Sequence, residues 1–232
     1  MSLVPCLING KHVMICILNY EEGIKTMIRN IVFDMGNVII RFDPIFFIDR
    51  EGVTDPEDQK LILNELFLSV EWAKMDAGVL TEETAEPLIL SRFPDRLKNT
   101  VCNLLYNWSR PGDTIPGMES LIRRLKDAGY SVYLLSNASK GQHIYWPKVP
   151  VSRLFDGKLV SCDIGFVKPM REIYETFTQK FSLKPEECVF IDDSASNAAW
   201  ADACGWHGIV FHGDADELER KLAVLGVAPF PE

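Results

Sequence analysis

The spacing of apolar positions changes twice along this chain, and the two changes divide it into three parts. Ile31-Val32-Phe33 is a short unbroken apolar run stopped by Asp34-Met35-Gly36-Asn37, the pattern of a buried strand ending in a turn. From Pro44 to about Tyr106 only helical signals occur. Thr54-Asp55-Pro56 starts one helix with proline in its first turn and feeds Leu61, Ile62, Leu66 and Phe67 onto one face. Gly78-Val79-Leu80 breaks the pattern, and Thr81-Glu82-Glu83 starts another helix with acids at its positive end. Pro111-Gly112-Asp113 marks a return, after which helix and strand alternate. The predicted strands there are 131–135, 159–160, 188–191 and 208–211. The predicted helices are 118–128, a segment after Ser139, 172–181, 195–204 and 214–225.

Strands spaced by helices imply a parallel sheet covered on both faces. The first strand precedes the helical stretch, so about 65 residues of helix are inserted into an α/β domain rather than appended to it. The expected division is an α/β core at 27–42 and 112–232, a helical module at 43–111, and an N-terminal extension at 1–26. Within the extension, His12 to Tyr20 is apolar but short, and no strongly basic segment or clear cleavage site accompanies it. A signal peptide is not expected. The extension is expected to pack as a short strand or hairpin on the domain surface.

Composition narrows the class. With 47% hydrophobic and 25% charged residues among 232, the chain can build a sizeable core without staples. The six cysteines, at 6, 16, 102, 162, 188 and 204, form no C-x-x-C pair and several lie in apolar runs. They read as reduced core thiols of a cytoplasmic protein. No apolar run approaches the ~18 residues that cross a membrane. A net charge of −9 argues against nucleic acid as the main partner. It leaves a small phosphorylated substrate open, because a bound cation and a few donors reverse the field inside a cleft.

Ligands of open α/β sheets sit beyond the carboxyl ends of the strands. The polar residues there are Asp34, then Ser136-Asn137, then Asp192-Asp193, with Lys168 on a loop before a helix. Singly, each has a plain reading: a turn aspartate, a helix cap, a solvated lysine, an acidic N-cap. Jointly they supply a carboxylate that can attack, a hydroxyl, a cation and a carboxylate pair that needs a cation or proton between its members. In-line phosphoryl transfer with one hard cation requires that set.

Phe33-Asp34-Met35-Gly36-Asn37-Val38, Leu135-Ser136-Asn137, Lys168-Pro169 and Ile191-Asp192-Asp193-Ser194 resemble the four ordered motifs of the haloacid dehalogenase superfamily. The resemblance spans roughly 28–225 and implies a Rossmann-like core with an inserted all-helical cap. The first motif and Trp146-Pro147 are most similar to the branch that includes bacterial glucose-1-phosphate phosphatases. The resemblance implies that Asp34 attacks phosphorus and forms an aspartyl-phosphate. It implies that Ser136 and the amide of Asn137 hold phosphoryl oxygens, and that Lys168 neutralises charge on nucleophile and phosphate. It further implies Mg²⁺ held by Asp34, the carbonyl of Gly36 and Asp193, with Asp192 behind them.

One position departs from the family pattern. The second aspartate that normally serves as general acid and base is replaced by Gly36. Groups of that kind contribute about 10²–10⁴-fold. Either another group or water substitutes, Asp76 being the first to consider, or the substrate has a good leaving group such as a sugar-1-phosphate or acyl phosphate. Trp72, Asp76, Trp108 and Arg110 are further candidate substrate contacts, with the two tryptophans also reading as core aromatics and Asp76 as a turn former. The histidines, at 12, 143, 207 and 212, show no ligand spacing. The expected function is a Mg²⁺-dependent phosphatase of a small phosphorylated metabolite. Two alternatives stand beside it: a metal-free 2-haloacid dehalogenase, which the aspartate pair disfavours, and a catalytically weak binding protein, which only Gly36 favours.

Overall fold

The computed structural model describes residues 27–227 and the backbone of two preceding strands, β1 (Ser2–Ile8) and β2 (Lys11–Ile17). These two pair as an antiparallel hairpin, Ser2 opposite Ile17 and Ile8 opposite Lys11. The expected packing of the extension on the domain surface lies outside the described residues.

β3 (Asn30–Phe33) is buried along its whole length because it is the middle strand of a five-stranded parallel sheet. The others are β4 (Ser131–Ser136), β5 (Gly157–Val160), β6 (Cys188–Asp192) and β7 (His207–Val210), in the order β5-β4-β3-β6-β7. Alternation along the strands sorts side chains into two layers. Ile31, Phe33, Val189 and Ile191 join the larger core, whereas Val32, Cys188 and Phe190 join a second core on the opposite face. The chain runs outward from β3 through β4 and β5, then returns to its other side for β6 and β7. Reversal of this kind opens a crevice at the carboxyl ends of the central strands. Register decides what enters it. Phe33 is level with Leu134 and Ile191, so Asp34 follows level with Leu135 and Asp192.

Between β3 and β4 the described elements are all helical: Pro44–Arg50, Pro56–Ile62, the turn Leu63–Phe67, Val70–Asp76, Glu82–Leu90 and Asp95–Asn107, then Met118–Asp127 leading back into the sheet. Their starts are set by short-range chemistry. Asp43, Asp55, Ser69 and Thr81 each accept a backbone N–H of the following turn through the side chain, and Thr84 completes a capping box with Thr81. The stretch predicted as one continuous helix from Pro56 changes winding at Leu63–Phe67, where Leu68 donates to the carbonyl of Leu63. This π-type turn lets the adjacent Leu66 and Phe67 both be buried.

The break at Gly78 has a definite cause. Its φ is +70°, and an added Cβ would lie 2.3 Å from the carbonyl oxygen of Cys162 on the core. Gly78→Ala should therefore cost about 1–2 kcal/mol through the left-handed backbone alone, with the clash added to it. A fall in the urea midpoint at unchanged slope is the expected reading; an unchanged midpoint would contradict both the positive φ and the close approach to Cys162.

Candidate active site

The site is assembled by neighbours in the sheet. Asp34 leaves β3 with its N–H donating to the carbonyl of Ile191 at 2.8 Å, which fixes its backbone against β6. Its carboxylate is almost wholly buried and lies 2.7 Å from Nζ of Lys168. That ammonium is also 2.7 Å from Oδ2 of Asp192 and 3.2 Å from the carbonyl of Leu135. Three acceptors thus match the three protons of a buried lysine. Burial opposes its charge, but Asp34 and Asp192 outweigh that and its pKa is raised. Asp34 fares differently, because one cation is shared by two carboxylates. Burial first, opposed by Lys168 and reinforced by Asp192, pushes it up to about 7.

Asp192 is spent within the protein. Its Oδ1 accepts from the N–H of Ser194 at 2.8 Å and from Asn197 at 3.0 Å, and its Oδ2 accepts from Lys168 and Asn197. It orients the lysine. Asp193, the next residue, is exposed and takes one hydrogen bond, 3.1 Å from the Asn37 amide. Asn37 sits in the left-handed region at φ 53°, and its Oδ1 accepts from the N–H of Phe42. The side chain of Asn137 clamps the lysine loop, accepting from the N–H of Lys168 at 2.7 Å and donating to its carbonyl at 3.0 Å. Ser136 is buried beside it with its hydroxyl at the cavity wall.

Asp34, Gly36, Ser136, Asn137, Lys168 and Asp193 all line one cavity of about 180 Å³. The helical insertion supplies Trp72, Asp76 and Trp108 to the same cavity. The two tryptophans serve core and cavity together, since Trp72 packs tilted and Trp108 edge-to-face against Phe42, with centroids 6.0 and 5.2 Å apart. Arg110 does not line it; it pairs with Glu51 at 3.3 Å on the surface. Asn37, Asn197 and Tyr145 contribute to this cavity and were not singled out from sequence. The contacts of Asn37 with Asp193 and of Tyr145 with Trp108 join distant segments, although Asn37 stands inside the first motif, whereas Asn197 reaches back to nearby Asp192.

The donor set suits a hard divalent cation. Ligand oxygens of Asp34, Asp192 and Asp193 lie within 4.8 Å of one another, and Lys168 is already paired with the first two. An all-oxygen set with excess negative charge is the chemistry that selects Mg²⁺ rather than softer metals. A second cluster, His143 with Cys162 and Asp163, differs. Lys158 donates to Nδ1 of His143 at 2.9 Å, and Nε2 lies 2.9 Å from Asp163, so both ring nitrogens are taken.

Among known proteins, flavin mononucleotide hydrolase 1 of Arabidopsis thaliana is 25% identical over 207 residues, covering 89% of this chain and 81% of its own. A sesquiterpene phosphatase of Aspergillus oryzae is 26% identical, covering 79% of this chain and 90% of its own. A haloacid dehalogenase family enzyme of Bacteroides thetaiotaomicron, solved with magnesium and inorganic phosphate, shares the fold at a TM-score of 0.61 and 22% identity, over 82% of this chain and 98% of its own. The model of haloacid dehalogenase-like hydrolases matches residues 28–205, and the chain belongs to that family.

Proposed function

We propose that this hydrolase is a Mg²⁺-dependent phosphatase of a small phosphorylated metabolite, working through an aspartyl-phosphate on Asp34. The observation that carries this reading is the buried Asp34–Lys168–Asp192 array opening onto a small cavity with Asp193 at its edge. A carboxylate held 2.7 Å from a fully enclosed ammonium is oriented for attack on an anion that the same ammonium attracts. Ser136 and the Asn137 backbone amide, both at the cavity, are suited to phosphoryl oxygens. Asp34, Asp193 and the Gly36 carbonyl would hold Mg²⁺, which when bound supplies positive charge for the phosphoryl group and nucleophile. Relatives whose names include a phosphatase and a flavin mononucleotide hydrolase support the reaction class.

The helices at 44–107 act in this reading as a cap over the core, and the aromatic walls of Phe42, Trp72, Trp108 and Tyr145 favour a compact organic leaving group. A sugar-1-phosphate or acyl phosphate fits that space. The carboxylate trio weighs against the dehalogenase reading, since without a cation it would repel an anionic substrate.

A panel of phosphorylated metabolites and a phosphopeptide, assayed for phosphate release with Mg²⁺ and with excess chelator, tests the proposal. Small metabolites should be hydrolysed only with Mg²⁺, and Asp193→Ala should lose that activity. Full activity in chelator would remove the metal, and preference for the phosphopeptide would overturn the cap.

A further inference from the structure

Expulsion of an alkoxide from phosphorus requires a proton, and hydrolysis of an acyl-phosphate requires its removal from water. Gly36 offers no side chain for either. The titratable groups lining the cavity, among the described residues, are Asp34, Asp76, Tyr145, Lys168 and Asp193. Asp34 is the nucleophile of the reading above, on which this inference rests. Lys168 is locked between Asp34 and Asp192, and Asp193 faces Asn37 at the metal side. Burial holds the Tyr145 phenol well above its ordinary range.

We propose that Asp76, carried into the cavity by the helical insertion, is the general acid and then the general base of this enzyme.

Its placement is built. Asp76 ends the helix Val70–Asp76, and its carbonyl accepts a hydrogen bond from the hydroxyl of fully buried Ser161. The same hydroxyl accepts from the N–H of Ala138, at 3.0 Å, two residues beyond Ser136. One serine thus ties the Asp76 turn to the loop expected to hold the phosphoryl group. Two residues further, Gly78 packs without a side chain against the Cys162 carbonyl. A second tie holds the cap nearby: Glu82 accepts from Ser139 at 2.5 Å and from the Gly141 N–H at 2.9 Å. The Asp76 carboxyl itself is left with charge interactions and no hydrogen bond that would hold it ionised. The groups facing it are Glu82 from the cap, Asp34 and Lys168 from the core, and Tyr145 and Cys162 from the short helices Gln142–Tyr145 and Ser161–Ile164. Burial first, then Glu82 and Asp34 against the pull of Lys168, pushes it up to about 7. At that value it can both give and take a proton near neutrality.

In the first step Asp34 Oδ bonds to phosphorus while the phosphorus–oxygen bond to the leaving group breaks. The Asp76 proton passes to that oxygen, giving an alcohol and a carboxylate. In the second step water attacks the aspartyl-phosphate and gives its proton to Asp76, and the bond to Asp34 breaks, releasing inorganic phosphate. In-line displacement puts the leaving oxygen on the side of phosphorus away from Asp34, where a donor carried by the cap can meet it.

The test compares full-length wild type with Asp76→Asn and Asp76→Glu, with Mg²⁺, on an alkyl phosphate and on 4-nitrophenyl phosphate. Asp76→Asn should lose about 10²–10⁴-fold on the alkyl ester. On the nitrophenyl ester, whose leaving group needs no proton, it should give a burst of nitrophenolate near one equivalent per site followed by slow turnover. Asp76→Glu should recover part of the alkyl activity, and the melting temperature of Asp76→Asn at pH 8 should not fall below wild type. An active wild type matched by Asp76→Asn on both esters overturns the proposal, as does equal loss on both without a burst. A wild type that hydrolyses no ester of the panel instead overturns the phosphatase reading beneath it.

Discussion

Asp34→Asn should lower kcat by about 10⁴–10⁶-fold, the range found when a member of a hydrolase's nucleophilic unit is removed. The exchange preserves shape but removes the carboxylate that the proposed mechanism uses to attack phosphorus. Lys168 keeps Asp192 and the Leu135 carbonyl, and the amide oxygen of the new asparagine can replace the third acceptor without its charge. The fold should therefore persist, and unfolding should remain cooperative. The distinguishing measurement is a rapid quench with labelled substrate. Wild type should carry acid-stable, hydroxylamine-labile phosphoryl label on the protein, and the variant none. Label retained on Asp34→Asn would move the nucleophile elsewhere in the cavity.

The sheet was legible in the sequence because β3, β4 and β6 are interior strands, which must be apolar on both faces. The edges were less so. β5 begins at Gly157-Lys158, two half-buried residues that carry no apolar signal, and β7 begins one residue before the predicted strand, at His207. The π-type turn at Leu63–Phe67 was invisible, since no residue type in Leu63-Asn64-Glu65-Leu66-Phe67 marks a change of winding. Strand-end residues of the candidate site could be read because parallel register brings consecutive strand ends together. What they do to one another could not. Asp192, expected behind the metal ligands, bonds Lys168, Asn197 and Ser194, partners that no spacing announces. The backbone amide of Asn137 was expected at the phosphoryl group, and its side chain has a role that was not read: it clamps the Lys168 backbone. Arg110, an expected substrate contact, is captured by Glu51 at a separation no periodicity encodes. Gly36 is not held to glycine by its surroundings: an added Cβ would meet only Phe42, at 3.4 Å and beyond, which is ordinary contact.

Lys168→Met should be the costliest substitution for stability, lowering it by about 3–5 kcal/mol in chelator at pH 8, the range for stranding one side of a buried ion pair. Lys168 is 5% exposed, and its Nζ is 2.7 Å from both Asp34 and Asp192. Methionine fills similar space yet offers those two carboxylates nothing. Asp192 keeps Asn197 and the Ser194 N–H, so Asp34 bears most of the deficit. The pH dependence follows from direction. Lys168 has a raised pKa, so its own contribution is intact through the neutral range and is lost only at strongly alkaline pH. Asp34 is raised from 3.8 to about 7 even with the lysine present, so the folded state favours its protonated form. The stability that protonation confers is complete below about 3.8 and disappears as pH rises through the folded value. Without Lys168 that folded value rises further, and the deficit of the variant should shrink markedly at pH 5 and be fully expressed at pH 8. Asp193→Ala provides the contrast: an exposed carboxylate with one hydrogen bond, it should leave the chelator-treated fold unchanged at both pH values while Mg²⁺-dependent turnover is lost. Urea midpoints of the two variants at pH 5 and 8 separate these effects. If Lys168→Met matched wild type at pH 8, the array would be held by its packing and not by its charge.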